Sequence, residues 1–474
     1  MPELPTLKTS TAAAASSVCS CIISPLCSSS GRLVPSTSCS ISTTGTTSSG
    51  ALLTAATTTY IEDAYGGHGN DTMIGGLGND TLNGNTGTDT ANYATATEGL
   101  TLSLGVTTAQ SAGSFGIDLF IGIENLTTGS GNDSLTGNDQ ANVLTGGAGD
   151  DLLIGGLGND VLAGGTGIDT ASFLGTSAVN VNLALGTATG VGTDTLSGIE
   201  NLIGSSGYDT LTGNAGANQI DGGAGNDVIS GGEGADTLTG GAGMDLFIIS
   251  FAAEMVAGEQ IFGAGDELRF TTTVASTLTL ATGVNVGSVV IGTGTAAKAV
   301  ATATIAINID GAAVTGNQTI FGNAGANILT GGTGNDQLQG GSGADTLNGG
   351  GGADTLIGGA GQDRLTGGAG ADVFVFNATL STSNRDTITD FNTADDTIHL
   401  AKSVMAALDL GQLVESAFYS STAGISHSAT DRVLYNQNTG LLTYDADGNG
   451  SRAAVQIAQL TTGLTLTHLD FWVI

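Results

Sequence analysis

The residues best placed to do chemistry are aspartates, and their spacing is what marks them. From Gly66 the chain reads GGHGNDTMI, GGLGNDTLN, GNTGTDTAN, a period of nine with an acid at the sixth place. The register returns over 128–172, 204–248 and 322–375, giving 19 repeats in four arrays. The sixth residue is Asp71, Asp80, Asp89, Asp133, Asp151, Asp160, Asp169, Asp209, Asp227, Asp236, Asp245, Asp336, Asp345, Asp354, Asp363 and Asp372, and it is Asn142, Asn218 and Asn327 in the other three. All nineteen are candidate metal ligands. Like charges held a few ångströms apart repel, so carboxylates brought together by such a period require a counter-cation. Carboxylates and turn carbonyls offer only oxygen, which suits a hard cation with six or more ligands at flexible distances: Ca²⁺ rather than the strictly octahedral Mg²⁺. Zn²⁺ would want Cys or His, and the repeats offer only His68, at a variable turn position expected to face solvent.

The other positions of the repeat, Gly-Gly-x-Gly-x-Asp-x-apolar-x, specify what must hold those carboxylates. Glycine serves where the chain turns sharply or takes positive φ. The x-apolar-x triplet is a very short strand with its middle side chain inward. That middle residue is large and apolar in 17 of the 19 repeats and alanine in two, Ala91 and Ala171. Two repeats make one coil, with a strand on each side and a glycine turn at each end, and coils stack at about 4.8 Å. The expected fold class is all-β: a parallel β-roll or β-solenoid of stacked nonapeptides with a β-rich C-terminal cap. Repeats i and i+2 then bring their sixth residues together, which gives 11 candidate sites, eight Asp/Asp and three Asn/Asp.

Composition agrees and narrows the class. Of 474 residues 79 are Gly and 4 are Pro, with no Gly-X-Y period, which excludes collagen. A net charge of −34 argues against nucleic acid or anionic lipid as partners. At 40% apolar residues and a mean hydropathy of +0.21 the chain is too apolar for a disordered acidic tail. Eleven filled Ca²⁺ sites would bring the charge to about −12.

The nonapeptides resemble the RTX, or hemolysin-type, calcium-binding repeat of secreted bacterial proteins, which implies a parallel β-roll holding about 8–11 Ca²⁺ between coils. Around the arrays, residues 1–60 form a low-complexity leader, expected to be disordered and holding all four cysteines (Cys19, Cys21, Cys27, Cys39). Residues 61–248 carry the first three arrays (66–92, 128–172, 204–248), joined by β-solenoid linkers that end in Gly-Ile-Glu-Asn-Leu at Glu124 and Glu200. A β-rich insertion follows at 249–321, then the fourth array within 322–377. Residues 378–474, with Asp386-Thr387-Ile388, Asp395-Asp396-Thr397-Ile398 and a terminal Asp470-Phe471-Trp472-Val473-Ile474, resemble the serralysin C-terminal domain. That resemblance implies a type I (ABC) secretion apparatus as partner and an extracellular destination, the cell surface included. No run of about 20 apolar residues predicts a transmembrane helix.

No catalytic motif emerges. The four histidines form no His-Glu-x-x-His, and neither a Gly-x-Ser-x-Gly elbow nor a phosphate-binding Gly-Lys-Ser/Thr occurs. The expectation is a non-enzymatic, secreted, calcium-binding protein whose β-roll folds on extracellular Ca²⁺ and which serves a surface, adhesive or matrix role with a partner there. The alternative is a fragment or degenerate relative of a serralysin-like metalloprotease or other RTX exoenzyme.

Overall fold

The structure, a computed structural model, describes residues 39–42, 52–54, 61–293 and 301–474. The leader therefore lies outside the described residues except for two strands, Cys39–Ser42 and Leu52–Thr54. Among the described residues the helical content is four 3₁₀ turns of three residues each. Everything else regular is strand, as a chain rich in Gly, Thr, Asn and Asp, all poor helix formers, favours. The molecule is a parallel β-roll in two compact units, Met1–Leu174 with Leu185–Ile203, and Gly175–Ala184 with Gly204–Ile474.

In the first unit the coil length can be read from strand pairing. Thr72–Ile74 pairs with Thr90–Asn92, Val143–Ala148 with Val161–Thr166, and Leu152–Ile154 with Thr170–Ser172, all parallel and each 18 residues on. The linkers enter as irregular coils. Asn125–Thr127 lies between Thr90–Asn92 and Val143–Ala148, and Thr193–Ser197 and Asn201–Ile203 extend the rows of Val161–Thr166 and Thr170–Ser172.

The second unit takes Asn180–Asn182 from the same linker and pairs it with Thr210–Thr212. Residues 249–321 supply further rungs. Gln260–Phe270 is long enough to join both rows, pairing with Thr237–Thr239 through its start and with Leu246–Ile249 through its end. Gly283–Ile291 pairs along it, and Thr319–Phe321 carries that row on to Gln337–Ser342. Beyond the fourth array, Asp386–Ile388 pairs with Val455–Gln459, which closes an antiparallel meander with Leu441–Tyr444 and Val433–Asn436. Asp445 and Asp447 sit in the hairpin connection of that meander.

Each unit's core is the eighth residue of the repeat. All nineteen of these side chains, from Met73 to Phe374 and including Ala91 and Ala171, are 0% exposed. In register they stack directly, Leu329 on Leu347 on Leu365 for example. Each buried Leu contributes about 1.5–3 kcal/mol, and this single file of side chains fixes where the turns, and hence the carboxylates, must lie.

Candidate metal centre

The sixth residues flank that core and are buried with it: all nineteen are 3% exposed or less. In each of the eleven i/i+2 pairs the later residue touches the earlier one. The backbone N–H of Asp71 donates to Asp89 Oδ1, and the same bond links 133 to 151, 142 to 160, 151 to 169, 209 to 227, 218 to 236, 227 to 245, 327 to 345, 336 to 354, 345 to 363 and 354 to 372, at 2.7–2.9 Å. The contact is amide to carboxylate rather than carboxylate to carboxylate. Charge-assisted bonds of this kind are stronger than neutral ones, so the ladder offsets part of the repulsion between stacked acids.

This leaves the second oxygen. Among the described residues, Oδ2 of Asp89, Asp151, Asp160, Asp169, Asp227, Asp236, Asp245, Asp345, Asp354, Asp363 and Asp372 is buried without a hydrogen-bond partner, as is that of Asp133. The turns explain the first eleven. In ten of them the second and fourth residues are glycines in the left-handed region, Gly341 (φ 105°) and Gly343 (φ 118°) before Asp345 being one pair. In the eleventh, Asn85 (φ 66°) stands at the second place before Asp89, a residue that tolerates this conformation. The glycine opening each turn leaves room beside the orphan oxygen. A Cβ on Gly340 would lie 2.4 Å from Asp345 Oδ2 and 2.7 Å from the carbonyl of Gly358, one coil on. At Gly349 the corresponding distances are 2.2 Å to Asp354 Oδ2 and 2.6 Å to Gly367. Carboxylate and carbonyl oxygens of successive coils thus converge on a gap that no side chain fills.

Eight acids outside the repeats complete the ladder, and these the period alone does not reveal. At the end of each array the last two amides bond to a linker acid: Asp80 and Asp89 to Asp118 and Glu124, Asp160 and Asp169 to Asp194 and Glu200, Asp236 and Asp245 to Glu259 and Asp266, Asp363 and Asp372 to Asp386 and Asp396. All eight have the form acid-x-apolar, as in Asp386-Thr387-Ile388, with the apolar residue 8% exposed or less. That triplet, stripped of its glycine turn, was the available signal. Two of these acids are closed off by local donors: Asp118 Oδ2 accepts from the Tyr93 hydroxyl at 2.6 Å, and Asp396 Oδ2 from the Asn392 amide at 2.8 Å.

Burial governs the electrostatics. Desolvation pushes Asp227 and Asp345 up to about 7 and Asp89, Asp151, Asp160 and Asp354 up to about 6. The ladder hydrogen bonds pull in the opposite direction, and neighbouring carboxylates add a smaller push upward. Glu259, also desolvated, rises to about 8. A carboxyl raised this far is a group whose charged form lacks a partner. His68 is exposed and bonds Thr86 Oγ1 at 2.7 Å, away from these oxygens.

Among the described residues no group of three or more His, Cys, Asp or Glu side chains is gathered closely enough to hold a metal by side chains alone. The donor set is instead a carboxylate or two with glycine carbonyls, and buried, partnerless, anionic oxygens are what a hard divalent cation fits. These features define a class: parallel β-rolls of glycine–aspartate nonapeptides with oxygen-lined turns. The family model of the RTX calcium-binding nonapeptide repeat matches residues 57–91, 120–153, 136–171, 194–229, 213–247, 313–347 and 339–374. The matched arrays carry RTX calcium-binding nonapeptide repeats. No curated protein matches it. No helix among the described residues is long and apolar enough to cross a membrane.

Proposed function

We propose that this RTX-repeat protein leaves the cell unfolded through a type I secretion apparatus and folds outside on meeting Ca²⁺, where it acts as a non-catalytic surface, adhesive or matrix protein. The observation that carries the reading is the row of buried, partnerless Asp Oδ2 atoms along the second, third and fourth arrays. An uncompensated buried charge costs several kcal/mol. Repeated at turn after turn, this cost opposes a metal-free roll at neutral pH. Bound Ca²⁺ supplies the missing positive charge, and because the unfolded chain has no preformed site, binding free energy becomes folding free energy. Extracellular calcium modules work near 10⁻⁴–10⁻³ M, well above the level inside a cell. Residues 378–474 supply the export signal in this reading, by their likeness to the serralysin C-terminal domain.

The test is far-UV circular dichroism of the full chain in chelator and in about 1 mM Ca²⁺. Strand signal that appears only with Ca²⁺ is expected; the same spectrum in both would refute coupled folding. Export is tested separately by comparing supernatants of cells making the chain with and without residues 378–474.

A further inference from the structure

Five of the nineteen turns close on themselves instead. In the coil that opens the third array, Asp209 Oδ2 accepts from the Ser205 amide at 2.5 Å, while its Oδ1 accepts from Ser205 Oγ and the Val179 amide. The other turn of that coil has the Asn214 amide donating to Asn218 Oδ1 at 2.8 Å. The coil that opens the fourth array repeats the arrangement: the Asn323 amide donates to Asn327 Oδ1 at 2.9 Å, and the Gly332 amide to Asp336 Oδ2 at 2.7 Å. In the second array Asn142 is closed likewise by the Asn138 amide. None of these turns has a left-handed glycine: Gly207, Gly216, Gly325, Gly332 and Gly334 all lie outside that region. With the second residue in ordinary backbone geometry, its N–H points at the side-chain oxygen that is orphaned elsewhere.

The amides of the sequence fall on the same side of this division. All three asparagines at the sixth position are in closed turns, and none is in a left-handed one. An asparagine presents an NH₂ that a cation would repel and that must be satisfied when buried. Here it is satisfied, since Asn142 Nδ2 donates to the Glu124 carbonyl and Asn327 Nδ2 to the Ile307 carbonyl, in the coil before.

We infer that the opening coils of the third and fourth arrays, residues 204–221 and 322–339, are cation-independent caps, and that in these two arrays Ca²⁺ is held only from the second coil onward. Asp209, Asn218, Asn327 and Asp336 are then structural acceptors rather than ligands. Both arrays start on a coil whose polar groups its own turns satisfy, and this coil presents a finished template to the first calcium-dependent one. The inference rests on the calcium reading above and subdivides it.

The experiment is calcium titration of the full chain by calorimetry, with thermal melts at saturating Ca²⁺ as a second readout. Asp209→Asn and Asp336→Asn are expected to bind as much Ca²⁺ as the parent, with a midpoint within about 1.5-fold. Asp227→Asn and Asp354→Asn, one coil further on, are expected to lose at least one bound ion and to need at least about threefold more Ca²⁺. Two arrays are tested, so a failure to fold at one position leaves the other comparison. Equal losses in closed-turn and left-handed-turn variants overturn the cap assignment and leave the calcium reading standing. A parent chain that binds no Ca²⁺ overturns both.

Discussion

If the apolar file and the oxygen-lined turns form one cooperative unit, damage to the file must appear as a demand for more calcium. Leu347 tests this. It is 0% exposed and stacked between Leu329 and Leu365. Truncation to alanine there should cost about 3 kcal/mol, within a range of about 2–5 kcal/mol. The fourth array has four left-handed turns with an orphan oxygen, at Asp345, Asp354, Asp363 and Asp372. Each filled site stabilises the folded array by RT ln(1 + [Ca²⁺]/Kd). Spread over four sites, a 3 kcal/mol loss is about 0.75 kcal/mol per site, and 1.4 kcal/mol corresponds to tenfold in concentration. The calcium midpoint of the strand signal should therefore rise about threefold, with bounds of about two- and eightfold. The control is Ile328→Ala on an adjacent coil, where the side chain is 52% exposed and points outward; its midpoint should stay within about 1.3-fold. An equal shift for both variants would refute the coupling of core to metal. A shift beyond tenfold would instead mean that a single ion, not four, governs the array.

Two further perturbations probe the turns. In chelator, lowering pH from 8 to 5 should increase strand content by circular dichroism, because Asp227 and Asp345 rise from 3.8 to about 7 on folding and their penalty is absent below the unfolded value, growing until pH passes the folded one; a flat profile would contradict the buried, unpaired state of these acids. Gly359→Ala places a Cβ 2.1 Å from the Gly341 carbonyl at φ 100° and should cost about 2 kcal/mol or more, a fall in Tm of roughly 4 °C or more at saturating Ca²⁺. Gly351→Ala, at the third place of its repeat with its nearest atom 4.0 Å away, should leave Tm unchanged or raise it slightly.

Much of this architecture was legible because the repeat ties residue type to environment. An apolar residue every nine, flanked by small polar ones, can be buried only in a thin roll. The eleven ladder contacts follow from that register, as Asp345 and Asp363 illustrate. The sequence reading placed the carboxylates one above the other, and the structure refines this: in each of the eleven pairs the later residue's Oδ1 is occupied by an amide from the coil before, and only its Oδ2 is left for a cation. The sequence reading also overlooked Asp118, Asp194, Glu259 and Asp266, and it singled out Glu124, Glu200, Asp386 and Asp396 without placing them in the ladder, because it searched for glycine turns. An acid needs no such turn to end a ladder, only the acid-x-apolar triplet that seats it against the core.

The difference between open and closed turns lay beyond local reading for another reason. Gly331-Gly332-Thr333-Gly334 and Gly340-Gly341-Ser342-Gly343 are nearly the same sequence, yet only the second turn is left-handed. What differs is the coil beneath. A Cβ on Gly332 would meet the carbonyl of Val314, in an irregular rung, whereas one on Gly341 would meet that of Asn323, in a repeat turn. Each turn is built against the one it stacks on, since its amides bond to carbonyls one coil back, as Ser342 does to Asn323. In the third and fourth arrays irregular rungs are thus followed by closed turns, and closed turns by open ones. In these two arrays the number of cation sites is then set by the length beyond the first coil. Lengthening either by one two-repeat coil should add two left-handed turns and two orphan oxygens, whereas shortening it to a single coil should keep its core residues and leave no Ca²⁺ site.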